Sequence, residues 1–130
     1  MKLLVYTSLL TIVTGLVGLS LGRWTDASIL IVHGSASAWH HSHYTPLTLV
    51  IDRITIGVIL CRAIQYAAKN GAACIGLYSS VYGYIAFLYF YGMYTKRYCF
   101  DPNPATADLY HASMHVVAAA VCSGTMIWLV

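Results

Sequence analysis

Short breaks divide an otherwise apolar chain into stretches of about 20 residues, and that segmentation limits the fold more than any motif does. A helix needs about 20 mostly apolar residues to cross a bilayer core. Five such stretches are legible: Leu3–Leu21, Asp26–His43, Leu47–Ala68, Ala72–Tyr94 and Ala107–Val130. The second is the shortest and is rich in histidine. The strongest loop signal is TKRYCFDPNPAT, where Pro102 and Pro104 cannot continue a helix. Asp108 then reads as an N-cap or first-turn acid of the fifth helix, and Pro46 suits the first turn of the third. Residues 1–130 therefore read as one transmembrane helical domain, an all-α bundle of five.

Composition agrees. Only 8% of the 130 residues are charged and 59% are hydrophobic, whereas a soluble domain carries about 25% charged residues. Glutamate is absent; the acids are Asp26, Asp52, Asp101 and Asp108. A net charge of +3 from scattered basic residues excludes a nucleic-acid binder. Lys2 before an apolar run also fits a secretory signal, but the segment is read as a span. Lys2, Arg53, Lys96 and Arg97 would face one side of the membrane and Arg23, Arg62 and Lys69 the other, which leaves orientation open. Cys61, Cys74, Cys99 and Cys122 show no CxxC spacing.

Ionisable groups within a span are costly and mark function by default. Here they fall in register. His33, Ser37 and His41 are spaced i, i+4, i+8 on one face of the second helix. His40 and His43 flank that face and read as interfacial. Asp52 lies about 9 Å along the third helix from Pro46, and His111 and His115 lie roughly 4.5 and 10 Å beyond Asp108. Antiparallel spans bring the end of the second helix and the starts of the third and fifth to the same side. His41, Asp52, His111 and His115 are thereby predicted to share one layer.

Three imidazoles, two of them i, i+4 on one helix, suit zinc with a fourth position left open, which is the catalytic pattern. Zinc polarises a carbonyl and acidifies water to a pKa of about 7. Asp52 would orient a ligand or take a proton, and Ser37 would donate to an oxyanion. Plainer roles stand beside these: Asp52 as ion-pair partner of Arg53 or Lys96, and Ser37 as a small packing residue. Two histidines from different helices also suit haem b. HSHYTPLTLVID resembles, over about a dozen residues, the membrane anchor of succinate dehydrogenase, where an aromatic lies between a haem-ligating histidine and an aspartate. Those anchors have three spans and no closing HxxxH.

The fuller pattern is Ser37-x3-His41, then Asp52, then His111-x3-His115 in the last span. It resembles the CREST superfamily of alkaline ceramidases, adiponectin-type receptors, lipid-remodelling proteins and myomaker-like proteins. That resemblance implies His41, His111 and His115 as zinc ligands, Ser37 and Asp52 as the catalytic or supporting pair, and hydrolysis of lipid amides or esters. The chain departs from the family in having five helices rather than seven, which preserves antiparallel parity. Arg53 follows Asp52 where ceramidases tend to have an acid, and Met114 stands where many members have tryptophan. The acid-rich calcium site of ceramidases has no counterpart. The expectation is a multi-pass protein of the endoplasmic reticulum or mitochondrial inner membrane, acting on membrane lipids with other membrane subunits as partners. The alternative is a non-catalytic or haem-ligating subunit of a respiratory-type complex.

Overall fold

The computed structural model describes residues 2–128, and the described residues form helices without strands. Five long helices match the five apolar stretches: α1 (Lys2–Ser20), α2 (Trp24–His43), α3 (Pro46–Asn70), α4 (Ala72–Thr95) and α5 (Pro104–Trp128). Two of them, α1 and α4, are long and apolar enough to cross a membrane. α2, α3 and α5 carry the histidines, Asp52 and most of the helical charge, and this polar load lowers their hydropathy.

The helix ends follow local chemistry. α2 stops at Tyr44, whose left-handed backbone (φ 48°) lets its N–H donate to the His40 carbonyl. Thr45 then caps α3: its hydroxyl accepts from the Thr48 N–H, Thr48 Oγ1 accepts from the Thr45 N–H, and Pro46 follows in the first turn. A π-helical turn at Phe87–Tyr91 interrupts α4, which no sequence signal had marked. After a 3-10 turn at Tyr98–Phe100, Asn103 Oδ1 accepts from the Ala105 N–H and caps α5. The fifth helix therefore starts at Pro104, before the predicted Ala107. A proline at the first helical position loses no hydrogen bond, so Pro104 opens the helix where the sequence reading had it as a break. Asp108 falls in the second turn and is neither N-cap nor first-turn acid.

α1 packs on α2 and α5, α2 on α3, α3 on α4, and α4 on α5, closing a ring. The closest seam is α1–α2. A Cβ built on Gly34 would stand 2.7 Å from Ile12 Cγ1, 3.0 Å from the Ile12 nitrogen and 3.1 Å from the Ser8 carbonyl oxygen; one on Gly15 would meet Ile31 Cγ1 at 2.6 Å. Glycine at both positions lets the backbones touch.

Burial on α1 and α3 is inverted relative to a water-soluble bundle. The buried face of α1 is Leu4, Thr7, Ser8, Thr11, Thr14, Gly15 and Gly18, whereas Tyr6, Leu9, Leu10, Val13, Leu16 and Val17 point outward. α3 exposes Leu47, Val50, Ile54, Val58 and Ile64 and buries Thr48 and Asp52. Small and hydroxylic side chains inside with aliphatics outside is the order expected where the surrounding medium is itself apolar. At the end of the ring remote from Tyr44, Arg62 Nε donates to Asp26 Oδ1 at 2.5 Å, joining α2 to α3. Arg23 lies over the Tyr66 ring and donates to its hydroxyl.

Candidate metal centre

His41 sits in the last turn of α2, so its ring height is set by where Tyr44 ends that helix. His111 and His115 project from one face of α5, one turn apart. The three rings meet. Ring centroids are 5.0 Å apart for His41–His111, 5.2 Å for His41–His115 and 5.1 Å for His111–His115. One nitrogen from each lies within 4.8 Å of the other two. In a tetrahedral zinc site, bonds of about 2.0–2.1 Å separate ligand nitrogens by roughly 3–3.5 Å. The residues predicted to converge from α2 and α5 do so.

The outward nitrogens are already engaged. His115 Nδ1 lies 3.0 Å from Thr7 Oγ1 and 3.4 Å from Ser8 Oγ. Both hydroxyls donate to the Leu4 carbonyl, at 3.2 and 2.8 Å. In the tautomer whose Nδ1–H donates to these hydroxyls, the lone pair of His115 stands on Nε2, the form a metal ligand needs. His41 Nδ1 lies 3.2 Å from the Tyr44 hydroxyl. Burial and the Asp108 carboxylate push the Tyr44 phenol above its ordinary range, so it stays protonated. His111 has no hydrogen-bond partner among the described residues, leaving both its nitrogens open. Two imidazoles anchored through Nδ1 and a third free at both nitrogens are a donor set suited to a divalent metal. Three imidazoles within 4.8 Å of one another are within reach of a shared metal ion.

The other predicted residues are placed as follows. Ser37 is buried, 3.0 Å from Ser8 Oγ. Its hydroxyl thereby joins the chain Ser37–Ser8–His115. Asp52 is 7% exposed, and its Oδ1 is buried without a hydrogen-bond partner. Asp52 is not one of the cluster His41, His111 and His115, whose ligand atoms lie within 4.8 Å of one another. His33 Nδ1 lies 2.9 Å from Thr55 Oγ1. Asp52 forms no ion pair with Arg53 or Lys96; Arg53 reaches Tyr89 instead. His40, read as interfacial, is buried with Nδ1 3.1 Å from Thr48 Oγ1, while His43 is exposed and bonded to the Trp39 carbonyl. Cys99 lies beside Met114, and burial pushes its thiol up to about 11, so it is no thiolate ligand.

Thr7 and Ser8 were not singled out from the sequence, and Tyr44 stood out only as the aromatic between a histidine and Asp52 in the resemblance to haem-ligating anchors. Thr7 and Ser8 sit in an apolar helix where hydroxyls are unremarkable. A usable signal was present, since Thr7, Ser8, Thr11 and Thr14 share one stripe of α1. Replacing Thr7 with valine keeps its shape and removes the acceptor. Thr7→Val is expected to weaken metal binding by about 10- to 100-fold with little change in melting; titration against a competing chelator measures it, and unchanged affinity would mean that Thr7 does not hold His115.

Compared with protein-family models, curated proteins and solved structures, the chain matches none.

Proposed function

We propose that this chain is a multi-pass membrane protein whose His41, His111 and His115 hold a zinc ion in a site of the lipid amide or ester hydrolase type. The observation that carries this reading is the convergence of three imidazoles from α2 and α5, two of them fixed through Nδ1. A zinc ion held there supplies Lewis acidity, polarising a carbonyl and acidifying water. The remaining work falls to this chain's side chains. Thr7 and Ser8 orient His115, and Tyr44 orients His41. Ser37 steadies Ser8. Asp52, a buried carboxylate with an oxygen lacking a donor, is the acceptor for a proton. The inverted burial supports lipid as the surroundings and a lipid as substrate.

The resemblance to the CREST pattern is consistent with this reading. The mutual contact of the rings favours an ion over haem b, whose macrocycle lies between its two axial histidines.

Purified protein is expected to contain one zinc per chain by elemental analysis, to show no Soret band, and to release fatty acid from amide- or ester-linked lipids. Asp52→Asn should keep the zinc and lose about 100-fold or more of that hydrolysis. A Soret band would overturn the zinc assignment. Stoichiometric zinc with no hydrolysis, in protein that co-purifies with other subunits, would overturn the catalytic assignment and leave a structural metal site.

A further inference from the structure

The two arginines of α3 have opposite partners. Arg62 pairs with the Asp26 carboxylate at 2.5 Å. Arg53 has no carboxylate partner among the described residues; it donates one hydrogen bond to the Tyr89 hydroxyl, with its guanidinium 4.6 Å from the centre of the Tyr89 ring. A phenol orients a guanidinium but does not neutralise it. Five N–H donors are available and one is used, and the side chain is exposed. The neighbouring acid, Asp52, turns inward and is buried.

On the membrane reading, an unneutralised cation on α3 is costly unless an anion meets it or its stem carries it to the interface. Arg53 is also held in place. Tyr89 lies in the π-helical turn of α4 and packs edge-on against Phe100 at 5.1 Å. Turns of this kind recur at functional sites. Arg53 directly follows Asp52 on α3, exposed where Asp52 is buried, so an anion bound by Arg53 would lie one residue along the helix from the carboxylate of the proposed site.

We propose that Arg53, braced by Tyr89, binds an oxyanion on the lipid headgroup, so that the site takes anionic lipids bearing a phosphate or carboxylate. This deepens the hydrolase reading and rests on it for the identity of the site. A planar guanidinium matches both groups through paired N–H donors, so the test separates the sources.

Binding to zinc-loaded protein in a non-ionic detergent is measured for dioctanoyl phosphatidic acid, dodecanoate, inorganic phosphate and dioctanoyl phosphatidylcholine, with zinc content determined on the same samples. The expected result is that at least one anionic lipid binds about 10-fold or more tightly than the phosphatidylcholine. Arg53→Gln is expected to erase that preference while zinc stays at one per chain, and Arg53→Lys to restore part of it. Tyr89→Phe, which keeps the ring and removes the hydroxyl, should weaken the preference less than Arg53→Gln. Inorganic phosphate binding as tightly as phosphatidic acid would overturn the lipid half of the proposal. Equal binding of all lipids, or a preference that survives in Arg53→Gln, would overturn the role of Arg53. Protein without zinc would count against the hydrolase reading, and the lipid series on that same protein still decides Arg53.

Discussion

His115→Ala should leave the bundle without its metal: zinc content falls from one per chain toward zero, and affinity drops by more than the roughly 100-fold that an orienting partner alone can cost. The expectation follows from the donor count. His41, His111 and His115 are the three imidazoles whose nitrogens come within 4.8 Å of one another, and removing one leaves two nitrogen ligands for an ion that prefers four donors. His115 is also the imidazole most firmly tied to α1, through Thr7 and Ser8. His43→Ala is the control, since that ring is exposed and bonded only to the Trp39 carbonyl; its zinc content should equal that of the parent. Elemental analysis and a chelator competition on both proteins decide the matter. His115→Ala protein that keeps full zinc occupancy would show that the trio is not the ligand set.

Gly34→Leu is expected to destabilise the bundle at the α1–α2 seam by about 3 kcal/mol. The first added carbon alone meets backbone on two sides, the Ile12 nitrogen at 3.0 Å and the Ser8 carbonyl oxygen at 3.1 Å. Neither can swing aside as a flexible side chain would, so α1 must move away from α2. Ser8 would then separate from Ser37 and loosen the hydroxyl support of His115, and zinc affinity should fall with stability. Gly57→Leu is the matched control: nothing lies within 4 Å of its built Cβ, and leucine is the better helix former by up to about 1 kcal/mol. Thermal unfolding in one detergent compares the two. If Gly34→Leu melts with the parent, the helices do not pack through that glycine.

The helices were legible because their signals are local. Apolar runs, Pro46 in a first turn and the short joints around Tyr44 and Gly71 mark boundaries without reference to any neighbour, and α2, α3 and α4 fall within a few residues of their predicted ends. Pro104 misled for an equally local reason, since the residue that ends one helix is also favoured to begin the next. The π-helical turn at Phe87–Tyr91 left no trace in the hydropathy, because FLYFY is apolar at any helical pitch.

The layer of the site was also legible, since depth is a residue count multiplied by a fixed rise. Rotation about each helix axis was not. His111 and His115 had to share a face, and antiparallel parity brought His41 to their level. Asp52 was at a matching depth too, yet it does not join the three-imidazole cluster, and the contacts His33–Thr55 and His40–Thr48 that seat α3 against α2 depend on a roll the sequence does not give. The support from α1 was hidden for the same reason. Its hydroxyls become ligand-orienting groups only when Gly15 and Gly34 let α1 approach α2 closely enough for Ser8 to reach both Ser37 and His115.

The amino-acid order alone therefore determined five helices, their direction, and the level at which three imidazoles would stand, because each depends on interactions spanning a turn or two. Only the tertiary packing decided which hydroxyl meets which ring nitrogen and which carboxylate is left without a donor. Those outcomes depend on helix rotation and on contacts between residues as far apart as Thr7 and His115, and short-range periodicity carries no information about either.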